Sequence, residues 1–396
     1  MDIESQTSTS AQLRGRRFAR RVGLFYASIV GVGGIYLPFF PVWLRAIGID
    51  PYWIGLITAA PAISRFTVLP PITAAAERRQ MLRGAIIAMA FLSAFGFVLL
   101  GLLHQPLAIL IVFALIACVW TPLTPMTDGY TLKGLQRHRL DYGPLRLWGS
   151  AAFIATALGC GWLADFIAAR HLIWIVVAAA FVSALIALRL EPLERPDMRA
   201  RSLMRANALL RQPLFIAIMA TAALVQGSHA AYYSFASISW QAAGLRGLTI
   251  AMLWSIGVIA EIAVFALSPR FTLSPALIVA IGASGAALRW FITAQEPPVA
   301  VLAVVQLMHG LSFGMTHIGT VLLLARSVPH HVLASAQGYL TAAIGFTSSV
   351  MMIVSGLIYA RAGLHVYYAM SAMGLMGLIV IASVRARLDR ARTITA

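Results

Sequence analysis

The sequence predicts an all-α membrane protein with twelve membrane-spanning helices in two pseudo-symmetric six-helix bundles. Hydrophobic residues make up 60% of its 396 residues and charged residues only 11%. A soluble domain keeps roughly a quarter of its residues charged, because its surface faces water. Between the charged clusters lie apolar runs of about twenty residues, long enough for helices to cross about 30 Å of hydrocarbon. Strands that cross membranes are half as long and alternate in polarity, so helices are predicted.

Each apolar run predicts one span. The spans are expected at 22–45, 52–76, 84–103, 105–132, 144–169, 171–189, 213–242, 247–268, 274–294, 298–325, 331–360 and 363–384. The widest gap between them is polar and falls in mid-chain. We therefore predict an N-terminal half over 1–190, a cytoplasmic linker over 191–212 and a C-terminal half over 213–396.

The distribution of basic residues predicts the topology. If the N-terminus is cytoplasmic, all but six of the 30 Lys and Arg residues fall in cytoplasmic segments or at the cytoplasmic ends of spans, as the positive-inside rule requires. The six exceptions are Arg45, Arg170, Arg246 and Arg361 outside, and Arg65 and Arg289 within spans. We expect a multi-pass protein of the bacterial inner membrane with both termini cytoplasmic. The net charge of +17 is then explained by cytoplasmic loops, and no nucleic acid partner is implied.

A short internal repeat supports two related halves. Ile54-Gly-Leu-Ile57 precedes Arg65, and Ile250-Ala-Met-Leu253 precedes Glu261 at the same offset. Spans two and eight are then related by an axis along the membrane normal, and the substrate pathway is expected between the halves.

Ionisable residues inside predicted spans are candidates for function, because a charged group at mid-membrane costs about 2.5–3.5 kcal/mol on insertion scales. They are Arg65, Asp128, His229, Glu261, Arg289, His309 and His317, with Arg146 just inside span five. A structural interpretation stays open for each. Asp128 and Glu261 can form interhelical ion pairs, and the histidines can be hydrogen-bonded packing residues. Trp43, Trp240 and Trp290, near span ends, are expected to be interfacial anchors.

Several motifs resemble the lactose-permease branch of the major facilitator superfamily. Tyr36-Leu-Pro-Phe-Phe-Pro-Val-Trp-Leu44 resembles that branch's first span. Asp128 precedes Arg146 by the spacing that sugar permeases show for a pair in contact with substrate. Glu261, Arg289 and His309 match three polar positions of their C-terminal half. Where those permeases carry a coupling glutamate and a lysine around the histidine, this chain has Ser312 and Gln306. Their sugar-binding asparagine is Val264 here, and their stacking tryptophan is Phe153. Sugar-binding groups have therefore been lost, whereas the arginines remain.

A fuller likeness is to the bacterial 3-phenylpropionic acid transporters. It covers Asp141-Tyr-Gly-Pro-Leu-Arg-Leu-Trp-Gly-Ser150, Gln226-Gly-Ser-His-Ala-Ala-Tyr-Tyr233, Trp240-Gln-Ala-Ala-Gly244 and the pair His309 and His317. The resemblance implies proton-coupled uptake of a small aromatic acid by a transporter, not an enzyme. It needs no cofactor, since the proton gradient supplies the energy. The partners are the substrate, protons and the lipid bilayer, and the protein is expected to work as a monomer.

The expected substrate site follows from that chemistry. Arg146 offers a planar, two-pronged donor to a carboxylate, and Asp128 is expected to hold it in the absence of substrate. The predicted substrate-binding residues are Arg146, Asp128, Phe153, His229, Tyr233, Trp254 and Arg65. The predicted proton-coupling residues are Glu261, His309, His317 and Arg289. Three alternatives remain: a proton-coupled sugar or oligosaccharide symporter, a nucleoside symporter and a drug-efflux transporter.

Overall fold

The computed structural model describes residues 3–78, 81–138, 143–192, 206–329 and 332–390. These residues form α-helices joined by short turns, and no strand occurs among them. The helices are α1 Ile3–Ala46, α2 Pro51–Thr67, α3 Leu69–Arg78, α4 Leu82–Gly101, α5 Pro106–Trp120, α6 Leu123–His138, α7 Gly143–Ala164, α8 Leu172–Ala187, α9 Pro213–Gly227, α10 Ala230–Ala242, α11 Gly247–Leu267, α12 Pro275–Thr293, α13 Val299–Leu307, α14 Thr316–Ser327, α15 Leu333–Ala362 and α16 Val366–Arg390.

Nine segments of the described residues are long and apolar enough to cross a membrane. The longest, Ser335–Arg390, contains both α15 and α16, and Trp148–Ala164 of α7 is a shorter apolar helix. The remaining predicted span corresponds to α2, which has 17 residues and carries Arg65. Each of the twelve predicted spans thus coincides with helix in the structure.

Four of the predicted spans are interrupted. Span two divides into α2 and α3, span four into α5 and α6, span seven into α9 and α10, and span ten into α13 and α14. Between α13 and α14 lies a π-helical turn, Gly310–Met315. π-helical turns are rare and occur frequently at functional sites. Most of the predicted linker, residues 193–205, lies outside the described residues.

Backbone contacts divide the chain into two compact units. The first comprises Met1–Gly48, Thr67–Met198 and Arg246–Ala251, and the second comprises Ile49–Phe66, Arg199–Leu245 and Met252–Ala396. This division differs from the predicted halves because α2 and the first turn of α11 each belong to the other unit. The second unit has an apolar core in which Phe215, Leu324 and Ile381 are fully buried.

In the first unit, α1 and α7 cross at very close range. The Thr156 hydroxyl on α7 donates to the carbonyl O of Gly31 at 2.7 Å. A side chain at Gly34 would overlap the backbone carbonyl of Phe153. Glycine is therefore needed at position 34, where the two helix backbones touch.

The first turn of α11 is held by an acid on another helix of the same unit. Asp165 follows α7 and accepts hydrogen bonds from the backbone N–H of Gly247 at 2.7 Å and of Leu248 at 3.4 Å. These are N–H groups that a helix start leaves without intrahelical partners. A Cβ at Gly247 would lie 2.6 Å from the carbonyl O of Gly161, so the backbones also approach closely. Asp165 therefore caps the N-terminus of α11 from the end of α7, through a tertiary contact.

Replacing Asp165 with Ala is expected to lower the stability of the folded protein by about 1–2 kcal/mol, because the cap is lost. Asp165→Asn is the control, since its amide oxygen still accepts from the α11 N–H groups. The measurement is the thermal unfolding temperature of both variants in detergent. Equal unfolding temperatures for the wild type and Asp165→Ala would show that the cap contributes nothing.

Candidate functional site

A buried arginine on α12 is the centre of the polar cluster in the second unit. The Arg289 side chain is fully buried. Its Nη1 donates to Nδ1 of His309 at 2.8 Å and to the Ser312 hydroxyl at 3.1 Å, and its Nη2 donates to Oε1 of Gln306 at 2.9 Å. The Ser312 hydroxyl and the Gln306 amide oxygen are neutral acceptors. Nδ1 of His309 can accept only when it carries no proton. Arg289 thereby joins α12 to α13 and to the π-helical turn.

Aromatic rings cover the guanidinium group. Its central carbon lies 4.8 Å from the centroid of the Tyr232 ring and 4.3 Å from that of Trp290. Such cation–π contacts gain strength where water is excluded. The Trp290 indole is fully buried and donates to the Ser228 hydroxyl at 2.8 Å. The expectation that Trp290 is an interfacial anchor is wrong, because its ring packs inside the helices beside Arg289.

The hydrogen bonds determine the tautomer of His309. Arginine can only donate, so Nδ1 of His309 must accept and the ring proton must be on Nε2. A second proton on Nδ1 would place N–H against N–H. The imidazole is therefore neutral as long as Arg289 keeps this contact.

His229, at the junction of α9 and α10, is held in a defined tautomer as well. Its Nδ1 lies 3.1 Å from the carbonyl O of Val225 and must donate to it. Its Nε2 lies 3.2 Å from the Ser312 hydroxyl and, in the neutral imidazole, accepts from it. The Ser312 hydroxyl consequently accepts from Arg289 and donates to His229. Donors and acceptors thus alternate along one chain from the guanidinium to Val225.

Glu261 is the acid next to this cluster. Its Oε2 lies 3.7 Å from Nε2 of His309, the nitrogen that carries the proton. The Glu261 side chain is 24% exposed, whereas that of His309 is 9% exposed. Gly257, one helical turn earlier on α11, faces His309, and a Cβ there would be in ordinary contact with Cβ of His309 at 3.4 Å. A titratable pair therefore connects the buried cation with the accessible side of α11.

Two further predicted residues lie in the aromatic cluster beside Arg289. The Trp254 ring on α11 packs 4.5 Å from the Tyr232 ring and 6.1 Å from the Tyr233 ring, centroid to centroid. Its indole donates to the Ser237 hydroxyl at 2.9 Å. Tyr233 also stacks on His229, with ring centroids 6.1 Å apart. The structure thus brings His229, Tyr233, Trp254, Glu261, Arg289 and His309 together.

Two predicted residues of the second unit adjoin the cluster through an aromatic ring, His317 at Phe313 and Arg65, by its charge, at Tyr233. His317 is exposed on α14, where its ring stacks on that of Phe313 at 6.3 Å. Arg65 is exposed near the end of α2, and its Cβ is 3.6 Å from where a Cβ of Gly345 would lie. Neither contributes a hydrogen bond to Arg289.

Three of the predicted residues, Asp128, Arg146 and Phe153, belong to the first unit. The Tyr26 hydroxyl on α1 donates to Oδ1 of Asp128 on α6. Phe153 is buried on α7, at the crossing with α1. Arg146 is in the first turn of α7, but its side chain lies outside the described residues, and so does its predicted pairing with Asp128. Asp141 and Tyr142 of the sequence motif are also outside them.

Comparison with known proteins decides the family. The model of the MFS_1 like family matches residues 21–370. The chain belongs to this family. It is therefore a multi-pass membrane transporter of the major facilitator type, and the all-α fold class and the family resemblance predicted from its motifs are confirmed.

Similar proteins transport several kinds of small molecule. The probable 3-phenylpropionic acid transporter of Escherichia coli strain K12 is 30% identical over 349 residues, which cover 86% of this chain and 91% of that protein. The maltose permease of Geobacillus stearothermophilus is 27% identical, covering 90% and 92%. The crystal structure of the nucleoside transporter NupG superposes with a TM-score of 0.79 at 16% identity, covering 94% of this chain and 99% of that one.

Proposed function

We propose that this protein is a proton-coupled symporter that takes up a small aromatic carboxylate, such as 3-phenylpropionate, by alternating access. The observation that carries the proposal is the Arg289 cluster. In it, a buried cation, several aromatic rings and a titratable Glu261–His309 pair occur within one compact unit. The probable 3-phenylpropionic acid transporter, with 30% identity, supports the same substrate class.

The chemistry of an aromatic carboxylate matches these groups. Its ring requires an apolar aromatic wall, which Tyr232, Tyr233 and Trp254 provide. Its charge requires a fixed cation, and arginine donates to a carboxylate through two parallel hydrogen bonds. A disaccharide would instead need several amide and carboxylate groups for its hydroxyls. Gln306 supplies a single amide, and neither Gln306 nor Ser312 supplies a carboxylate.

Proton coupling follows from the membrane potential. Moving an anion into a cell that is negative inside costs about 2.3 kcal/mol per charge per 100 mV. Co-transported protons offset that cost, so a titratable group must sense the substrate. We assign this role to Glu261 together with His309, because Oε2 of Glu261 lies 3.7 Å from Nε2 of His309 and the carboxyl is the more exposed member of the pair. The protein needs no bound cofactor in this mechanism and acts as a monomer in the inner membrane.

A panel of labelled compounds tests the substrate. Whole cells that lack their own transporters and express this protein should take up 3-phenylpropionate in a saturable manner. Maltose is the second candidate, because the maltose permease is 27% identical. Saturable uptake of maltose or a nucleoside, without uptake of 3-phenylpropionate, would show that the substrate is that sugar or nucleoside and not an aromatic acid.

The proposed orientation places both termini and the 191–212 linker in the cytoplasm. Fusion of a reporter after Arg201 or at the C-terminus should give activity only with a reporter that works in the cytoplasm, because the basic residues concentrate on that side. A fusion after Arg170, in a predicted periplasmic turn, is the control and should be active only with a reporter that works in the periplasm. Periplasmic activity at Arg201 or at the C-terminus would overturn the orientation.

A further inference from the structure

The guanidinium group of Arg289 has an edge that the protein only partly uses. Both hydrogen bonds of Nη1 are accounted for, by His309 and Ser312. Nη2 donates to the amide oxygen of Gln306. Nε is buried and has no hydrogen-bond acceptor among the described residues. The Nε and Nη2 hydrogens point to the same edge of the planar group, so this edge has one neutral acceptor where a carboxylate would supply two oxygens.

The charge of Arg289 leads to the same edge. The acceptors of its Nη groups are an imidazole nitrogen, a hydroxyl and an amide oxygen, and the Tyr232 hydroxyl also interacts with the guanidinium. None of these groups carries a negative charge here. A buried cation is costly unless a counter-ion and hydrogen bonds compensate for the lost water. A carboxylate at the Nε–Nη2 edge would satisfy the free N–H and neutralise the cation at once.

Aromatic rings restrict how a ligand can approach. The central carbon of the Arg289 guanidinium lies over the faces of the Tyr232 and Trp290 rings, 4.8 and 4.3 Å from their centroids. The two rings occupy part of the space around the group. The edge that carries the Gln306 amide is where a carboxylate can take the place of a protein acceptor.

We infer that the substrate carboxylate binds the Nε–Nη2 edge of Arg289 and displaces the amide of Gln306. The inference rests on the proposed function, since it names the residue that receives the charge of that substrate. Gln306 is suited to this exchange because α13 ends one residue later, at Leu307, and the π-helical turn begins at Gly310. The amide swings away as the carboxylate enters. The sequence had favoured Arg146 for this role.

Gln306→Glu tests the inference with almost no change in shape. The new carboxylate stands where the amide is, 2.9 Å from Nη2, and becomes a permanent counter-ion for Arg289. If Arg289 is only structural, the variant should be at least as stable as the wild type and should bind substrate normally. If Arg289 receives the substrate, affinity for 3-phenylpropionate should fall about 10- to 100-fold.

Two further variants keep the test decisive. Ser312→Glu adds a carboxylate at the Nη1 side and should also weaken anion binding. Gln295→Glu is the control, because Gln295 is exposed in the turn after α12 and its partner, the Tyr368 hydroxyl at 2.6 Å, can donate to a carboxylate. It should bind 3-phenylpropionate within about threefold of the wild type.

The measurements are the dissociation constant and the unfolding temperature of purified protein in detergent, with 3-phenylpropionate and with neutral 3-phenylpropanamide. The wild type should prefer the acid, and Gln306→Glu should lose that preference while its unfolding temperature without ligand is maintained. Should Gln306→Glu not fold, Ser312→Glu carries the same comparison.

The outcomes separate the inference from the proposed function. Absence of 3-phenylpropionate binding by the wild type would contradict the proposed substrate. Normal binding by the wild type and by folded Gln306→Glu would overturn the inference and leave the substrate intact. Loss of binding in Arg146→Lys with normal binding in Gln306→Glu would place the carboxylate on Arg146 instead.

Discussion

Replacing Glu261 with Gln is expected to abolish substrate accumulation against a gradient while exchange of substrate across the membrane continues. The Glu261 carboxylate is 3.7 Å from the protonated nitrogen of His309 and is the more exposed partner of the pair. A glutamine keeps the shape and the hydrogen-bonding capacity but cannot gain or lose a proton. Transport without proton coupling can equilibrate the substrate but cannot concentrate it.

Uptake with and without an uncoupler, beside counterflow in vesicles, measures both properties. Glu296→Gln is the matched control, because Glu296 is exposed in the turn after α12. Cells without the protein give the background, since a carboxylic acid also crosses lipid in its neutral form. His309→Gln should weaken the pH dependence of uptake more than the binding of substrate. Uncoupler-sensitive accumulation by Glu261→Gln would show that Glu261 has a structural role.

Replacing Arg289 with Lys is expected to lower both substrate binding and stability strongly. An ammonium group retains the charge, but it cannot donate to His309, Ser312 and Gln306 in the fixed directions of a guanidinium. Each buried polar group that loses its partner costs about 1–3 kcal/mol, so the unfolding free energy should fall by about 3 kcal/mol or more. Binding of 3-phenylpropionate should weaken at least about 100-fold.

Thermal unfolding in detergent and equilibrium binding measure these two effects. Arg270→Lys is the control, because Arg270 is exposed after α11 and should tolerate the change. If Arg289→Lys retained the wild-type unfolding temperature, the hydrogen bonds of Arg289 would not stabilise the fold as proposed.

The membrane-spanning helices were predictable because burial in lipid requires long apolar runs, and those runs are visible in the sequence. The interruptions inside them were not. The π-helical turn Gly310–Met315 has the same apolar composition as its surroundings, and only packing against α11 reveals it. A Cβ at Gly310 would lie 2.8 Å from the carbonyl O of Ala260, a close approach that no periodicity shows.

The candidate site was predicted in part. Glu261, Arg289 and His309 were found because ionisable residues in a span are costly and therefore few. The sequence showed Ser312 and Gln306 only as replacements for a glutamate and a lysine of the sugar permeases. The structure shows that both accept hydrogen bonds from Arg289. Trp290 was misjudged because position near a span end does not indicate which way a ring points.

Substrate-driven proton movement tests the central proposal most directly. De-energised vesicles that contain the protein receive 3-phenylpropionate, and the external pH is recorded against vesicles without the protein. Symport predicts a saturable rise in external pH above the passive background, and this rise should be absent with Glu261→Gln. Saturable, protein-dependent entry of 3-phenylpropionate without any added proton uptake would contradict proton-coupled symport.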